Sequence, residues 1–173
     1  MLHRHGCLLV LPVVALCVPL LFAQGTSAMA TATCNFDANR QIAVEYLRMT
    51  VNAKKPVFGR EIPYDKVWAP GGRPMTLFVN TPVSLAGHAI PIGAYTVFVI
   101  PAEKQWTLIL SKSTDTSGKY DEHDDFLRVP MDYGKLPSAE EQFSVYFGHV
   151  APTQCSMRLD LEKSRAWVTF TAK

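Results

Sequence analysis

Residues 56–112 read PVFGREIPYDKVWAPGGRPMTLFVNTPVSLAGHAIPIGAYTVFVIPAEKQWTLILSK, and this stretch contains the strongest fold signals in the chain. Residues 52–74, which include its first part, hold four Pro and three Gly among charged and aromatic residues, so no strand ladder or helix can run through them. Its last part holds two runs of β-branched and aromatic residues, 95–100 and 106–111, separated by five turn residues. The stretch therefore predicts a long ordered loop followed by a β-hairpin.

Alternation of apolar and polar residues, the signal of a half-buried strand, continues on both sides of this stretch. Residues 31–39 are small and polar and are predicted to be an extended lead-in. Strands are predicted at 41–49, 75–79, 83–85, 126–131 (closed by a turn at 133–134), 142–150, and in a final hairpin formed by 157–161 and 166–170. No segment has convincing helical periodicity. The sequence predicts an all-β protein, a single antiparallel β-sandwich of about eight or nine short strands.

The first thirty residues have the features of an export signal. Arg4 precedes an apolar run at 7–23, and Ala28-Met29-Ala30 has the A-x-A form that signal peptidase cleaves. The run contains two Pro and is short for a bilayer core of about 30 Å, so a cleaved signal is favoured over a retained anchor. We expect residues 1–30 to be a signal peptide, with a cut after Ala23 as the alternative, and residues 31–173 to form one domain.

Charge gives little indication of a partner. Cleavage removes Arg4 and no acid, so the net charge falls from +2 to +1. Nucleic acids and anionic membranes bind clustered basic faces, which this balance does not indicate. We therefore expect an exported protein, periplasmic or secreted, that binds no nucleic acid and has no stable membrane span after cleavage.

Two cysteines remain after signal cleavage, Cys34 and Cys155. In an oxidising compartment they have one intramolecular pairing, which we predict as a disulfide. They come within reach of each other if the first and last strands lie side by side. The alternative is that the thiols lie apart and Cys34 is free or pairs with another chain.

Four motifs in order carry a family resemblance. They are VFGREIPYDKVW at 57–68, IPIGAY at 90–95, FVIP at 98–101 and WTLIL at 106–110. The series resembles the bacterial secreted family catalogued as domain of unknown function 2911, whose pattern is F-G-x-x-x-P-Y-x-x-V-W, then P-x-G-x-Y, then I-P and W-T. The resemblance implies an exported β-rich domain and no established activity. After V-W the family usually continues R-x-G-A-N-E, whereas this chain has APGGRP at 69–74, so a site built on those polar residues in relatives is altered here.

Candidate ligand-binding residues are concentrated on the predicted loop. Its aromatic faces, cations and hydroxyls are groups that commonly hold sugars, peptides and anions at the mouth of a sandwich. The candidates are Arg60, Tyr64, Trp68, Arg73 and His88. The alternative, which we favour, is that Tyr64 and Trp68 plug the open end of the core, with Arg73 stacked over one ring.

Metal and catalytic motifs are not recognisable in the sequence. His88, His123 and His149 are too far apart in sequence to define a metal site, and the acidic run 121–125 fits a solvated loop better than a calcium loop. Gly-x-Ser-x-Gly is absent, and no Cys is expected to be a free nucleophile beside a His. We predict no metal, no cofactor and no catalytic residue. A metal site formed by these His residues in the folded chain is a third hypothesis, which elemental analysis would test.

These observations favour a non-enzymatic binding module of the cell envelope, whose partner is an unknown small ligand or envelope protein; they leave its oligomeric state open. The competing hypothesis is a hydrolase that acts on envelope polymers or small substrates at a pocket near the 58–73 loop.

Overall fold

A computed structural model describes residues 28–173, so the predicted signal segment lies outside the described residues except for its last three positions. Within these residues, ten antiparallel strands form two sheets and confirm the β-sandwich. The strands are β1 (Met29–Asn35), β2 (Gln41–Leu47), β3 (Met75–Val79), β4 (Val83–Leu85), β5 (His88–Ile90), β6 (Gly93–Ile100), β7 (Thr107–Ser111), β8 (Asp125–Pro130), β9 (Asp132–Ala151) and β10 (Gln154–Ala172).

The larger sheet has six strands in the order β1-β2-β3-β6-β7-β8, and the smaller has four in the order β5-β4-β10-β9. Alternation along each strand sends apolar side chains between the sheets, as Ile42 and Val44 on β2 show by being fully buried. Burial of each such side chain stabilises the fold by about 1.5–3 kcal/mol. The predicted hairpin is present as β6 and β7, with Val97 opposite Leu110 in the core.

The predicted final hairpin is wrong, because β10 runs through 163–164 without a turn. Glu162 has a φ of 55° and lies at a β-bulge, where the register with β9 shifts. Before the bulge the inward-facing residues have odd numbers, as Leu159 and Leu161 do. After it they have even numbers, as Val168 and Phe170 do. A left-handed residue at an irregularity within a strand can reverse the alternation just as a turn does, so the sequence pattern alone did not distinguish the two.

Two other local predictions are corrected. β9 is a continuous strand through Tyr133-Gly134, where a turn was predicted, because its pairing with β10 extends over these positions. The predicted lead-in at 31–39 is largely strand β1, which pairs with β2 from Met29 onward. A cut after Ala30 would remove the first two residues of this strand, whereas a cut after Ala23 would leave it whole.

The disulfide between Cys34 and Cys155 joins the two sheets, with their Cα atoms 6.4 Å apart. Cys34 lies on β1 and Cys155 at the start of β10, so the two cysteines meet across the sandwich rather than on neighbouring strands of one sheet.

Within residues 28–173 no helix is long and apolar enough to cross a membrane.

Candidate functional site

The predicted loop closes one end of the core with aromatic rings. Phe58 is buried, and its ring lies 4.9 Å from that of Trp106 and 5.9 Å from that of Trp68, centroid to centroid. Trp68 also packs edge-on against Trp106 at 6.3 Å and Phe143 at 5.5 Å. Edge-to-face and tilted pairs at these distances each stabilise by about 0.5–1.5 kcal/mol beyond area burial. The rings of the loop and of both sheets therefore form one aromatic cluster.

Backbone contacts hold this loop against β6. Trp68 exchanges two hydrogen bonds with Val99, at 2.7 and 3.2 Å, and Asp65 N–H donates to the Pro101 carbonyl at 2.9 Å. Gly59 has a φ of 79°, and a Cβ there would lie 2.8 Å from the Tyr64 ring. The loop thus needs glycine at this position for both its backbone angle and the close approach of Tyr64.

The five predicted ligand residues do not converge on one pocket. Trp68 belongs to the aromatic cluster, and half-buried Tyr64 stacks on Phe58 with 6.5 Å between ring centroids. Burial raises the pKa of Tyr64, and the nearby ionisable groups Tyr133, Glu103 and Glu162 add to this effect. Arg60 is exposed, and His88 is exposed on β5 of the smaller sheet.

Arg73 lies at the edge of a different surface, the outer face of the larger sheet. Phe78 is the central residue of this face and is 41% exposed. Its neighbours in register are Ala43 on β2 and Ala94 on β6, both too small to cover the ring. Because these neighbours are small, open space remains on both sides of the Phe78 ring.

Two grooves occupy that space and together form what we call the Phe78 trough. One, the more polar of the two and called the polar groove below, has a volume of about 280 Å³. Its lining residues are Glu45, Arg73, Thr76, Phe78, Ala94, Tyr95, Thr96, Thr114 and Thr116. The other, about 260 Å³, is mainly apolar and is lined by Gln41, Ala43, Phe78, Val79, Asn80, Ile92 and Gly93.

Contacts between two loops fix one side of the polar groove. An Arg73 Nη2–H donates to Thr116 Oγ1 at 3.4 Å, which ties the predicted loop to the 112–124 loop. Gly118 has a φ of 93°, and a Cβ there would lie 2.6 Å from the Gly72 carbonyl oxygen. The two loops therefore meet at glycines beside the groove, and Arg73 and Glu45 place opposite charges on its lining.

A smaller groove of about 230 Å³ lies beside the predicted loop. Tyr64, Tyr133, Glu162 and Ser164 contribute polar groups to it. The hydroxyls of Tyr133 and Ser164 are 3.2 Å apart, and the Glu162 carboxylate accepts the Val57 N–H at 3.3 Å. None of the described residues that line this groove is a His, so Ser164 has no imidazole base among them.

An ion-pair network lies on the outer face of the smaller sheet. Asp160 is 1% exposed and accepts hydrogen bonds from Arg165 Nε at 2.8 and 3.1 Å and from the Tyr146 hydroxyl. Hydrogen bonding to Asp160 raises the pKa of Arg165, and burial raises that of Tyr146. Because the donors and acceptors of this network hydrogen-bond to one another, we interpret the network as stabilising the fold rather than binding a ligand.

His149 was not among the predicted ligand residues, and the structure places it beside the disulfide. Its Nε2 lies 3.9 Å from Cys34 Sγ and 4.0 Å from Cys155 Sγ, and its Nδ1 lies 3.7 Å from Cys155 Sγ. The signal in the sequence is the alternation on β9, where 143, 145 and 147 are apolar and point inward. His149 is a polar residue at the next inward position.

The fold and these surfaces define a disulfide-linked, two-sheet antiparallel β-sandwich. Residues 27–170 match the sequence profile of the family described as Protein of unknown function (DUF2911), and the chain belongs to that family. No curated protein and no solved structure matches the chain.

Proposed function

We propose that this chain is an exported, non-enzymatic binding module of the cell envelope and that its ligand lies in the Phe78 trough. The signal-like segment 1–30 and the disulfide favour export to an oxidising compartment. The observation that carries the choice of surface is Phe78, an exposed aromatic ring with free space on both sides on a sheet face.

The chemistry of the trough favours a hydroxyl-rich ring, such as a sugar unit of an envelope polymer. The face of Phe78 offers an apolar platform, while at the polar groove the Arg73 guanidinium can donate hydrogen bonds to a ligand and the Glu45 carboxylate can accept them. The threonine hydroxyls of the groove can both donate and accept hydrogen bonds. Each groove is slightly smaller than the usual range of about 300–1,000 Å³ for small-molecule sites, which fits one ring per groove.

This assignment retains one of the predicted ligand residues and replaces the others. Arg73 borders the trough, whereas the Trp68 ring packs against other rings of the core and Tyr64 stacks on Phe58. The 58–73 loop fills the end of the core. A ligand surface on the outer face of the larger sheet is consistent with this packing.

The test is a binding screen with matched arginine variants. Isothermal titration with a panel of neutral, amino and acidic mono- and disaccharides should identify at least one that binds the mature chain. Phe78→Ala should weaken that Kd roughly two- to tenfold, because aromatic packing contributes about 0.5–1.5 kcal/mol. Arg73→Ala should weaken it about tenfold or more, since a hydrogen bond to a charged group contributes about 1.5–3 kcal/mol.

Arg60→Ala is the control, because Arg60 lies on the same loop, is exposed and does not line the trough. If no saccharide binds, or if Arg60→Ala and Arg73→Ala weaken binding equally, the trough is not the site.

The second candidate, a hydrolase, has one observation in its favour: the groove at Tyr64 holds Glu162 and Ser164 beside the predicted loop. Nucleophilic catalysis needs a base in contact with the nucleophile, and the neighbour of Ser164 Oγ is the Tyr133 hydroxyl. The hydrolase hypothesis predicts that the purified chain releases reducing ends from envelope polysaccharide and that Glu162→Gln abolishes the release. Without such release, the hydrolase hypothesis fails.

A further inference from the structure

The Cys34, Cys155 and His149 side chains bring together three groups that bind soft metal ions. Their potential ligand atoms all lie within 4.8 Å of one another. Cys34 and Cys155 are 2% and 0% exposed, whereas His149 is exposed at the rim of the sandwich. The cluster thus consists of two buried sulfurs and one solvent-facing imidazole.

The fold fixes these groups from three different strands. His149 on β9 is the register partner of Cys155 on β10, so both side chains lie on the same face of that sheet. Cys34 approaches from β1 of the other sheet. The strand register therefore places the imidazole beside the Cys155 sulfur independently of the disulfide itself.

The distances fit a metal once the disulfide is open. In a tetrahedral zinc site, bonds of about 2.3 Å to sulfur and about 2.0–2.1 Å to nitrogen place two sulfurs about 3.8 Å apart and sulfur and nitrogen about 3.5 Å apart. His149 Nε2 is already 3.9 and 4.0 Å from the two sulfurs. The sulfurs need to separate from a bond of about 2.05 Å to about 3.8 Å, which side-chain rotation can supply.

We propose that reduction of the Cys34–Cys155 disulfide converts this cluster into a Zn²⁺ site with two thiolates and the His149 imidazole as ligands. A dithiol reductant delivers two electrons and two protons to the disulfide, giving two thiols, and is itself oxidised to a disulfide. Zn²⁺ then binds both sulfurs and His149, and the two thiol protons leave to solvent. Three protein ligands leave a fourth position for water or a small ligand.

The site is a redox-controlled one, because the same two sulfurs cannot be both a disulfide and zinc ligands. In the oxidised protein the disulfide joins the two sheets, and in the reduced protein the bound ion takes over that link. Zn²⁺ is therefore expected to restore, in the reduced chain, the connection between β1 and β10 that reduction removes.

The test uses the mature chain in both redox states, with Zn²⁺ for affinity and Co²⁺ as a spectroscopic probe. The chain reduced with a phosphine should bind one equivalent of Zn²⁺ and show thiolate-to-Co²⁺ charge-transfer absorption, while the oxidised chain should do neither. His149→Ala should weaken Zn²⁺ binding by at least 10- to 100-fold, the loss seen even when only an outer-shell partner of a metal ligand is removed. His123→Ala, which changes an exposed His away from the cysteines, should bind as the wild type does.

Thermal unfolding followed by circular dichroism separates site formation from binding to an unfolded chain. Zn²⁺ should raise the Tm of the reduced wild type, or refold it if reduction unfolds it, and should have no such effect on a Cys34→Ser, Cys155→Ser chain. The proposal is overturned if the oxidised chain binds Zn²⁺ equally well, if His149→Ala retains wild-type affinity, or if Zn²⁺ neither stabilises nor refolds the reduced chain.

Discussion

Replacement of Trp68 by alanine tests whether the 58–73 loop closes the core or presents a ligand site. Trp68 makes ring contacts with Phe58, Trp106 and Phe143 at centroid distances of 5.5–6.3 Å. Three such pairs contribute about 1.5–4.5 kcal/mol together at about 0.5–1.5 kcal/mol each, and a buried Trp→Ala change costs about 3–5 kcal/mol overall. Because Trp68 is only partly buried, we expect Trp68→Ala to lower the free energy of unfolding by about 3 kcal/mol.

The assay is urea denaturation followed by far-UV circular dichroism, with the m-value unchanged if only stability is altered. Trp167→Ala is the matched control, because Trp167 is also half-buried but lies over Gly134 and makes no ring pair within residues 28–173. We expect it to lower the free energy of unfolding by about 1–2 kcal/mol, the effect of an ordinary partly buried substitution. If Trp68→Ala is no more destabilising than the control, the indole is not part of a core plug and the reasoning fails.

Three further perturbations test other parts of the fold. A chain with Cys34→Ser and Cys155→Ser should lose about 4–5 kcal/mol of unfolding free energy in urea, because the disulfide closes a loop of about 120 residues; an unchanged midpoint would contradict this. Gly118→Ala should be clearly more destabilising than Gly87→Ala in the same assay, since both have positive φ but only the former would place a Cβ against a backbone carbonyl; equal losses would refute the contact. Burial raises the pKa of Tyr146, so the unfolded chain loses this proton at lower pH than the folded one, and stability should fall as the pH rises above about 10. Tyr146→Phe should flatten that fall relative to the wild type, and an identical pH profile would show that Tyr146 does not contribute.

The β-sandwich could be predicted from the sequence because period-2 alternation requires only that one face of each strand be buried. The same alternation failed on β10, where the bulge at Glu162 produced the change of phase that a turn produces. It also failed at Tyr133-Gly134, where a residue pair typical of turns lies within a long strand because β10 pairs alongside it. A change of phase in the alternation can reflect either a turn or a bulge. The partner strand decides between them, and a single sequence does not identify that partner.

The candidate site was less predictable, because residue type does not reveal which face of a loop is free. The aromatic residues of the 58–73 loop are equally suited to stacking on a ligand and to packing on one another, and the structure shows Trp68 packed against three rings. The exposure of Phe78 depends on Ala43 and Ala94 being its cross-strand neighbours. That register becomes known only once β2, β3 and β6 are placed side by side.

A two-dimensional ¹H–¹⁵N NMR titration of the mature chain would locate the ligand on the sandwich, using a β-1,4-linked N-acetylhexosamine disaccharide and whichever saccharide binds best in the screen. We expect saturable shifts at the backbone amides around Phe78, Thr76 and Thr96, with residues 58–68 unaffected. Shifts confined to the groove at Tyr64, or no saturable shifts with any saccharide tested, would contradict the assignment of the site to the Phe78 trough.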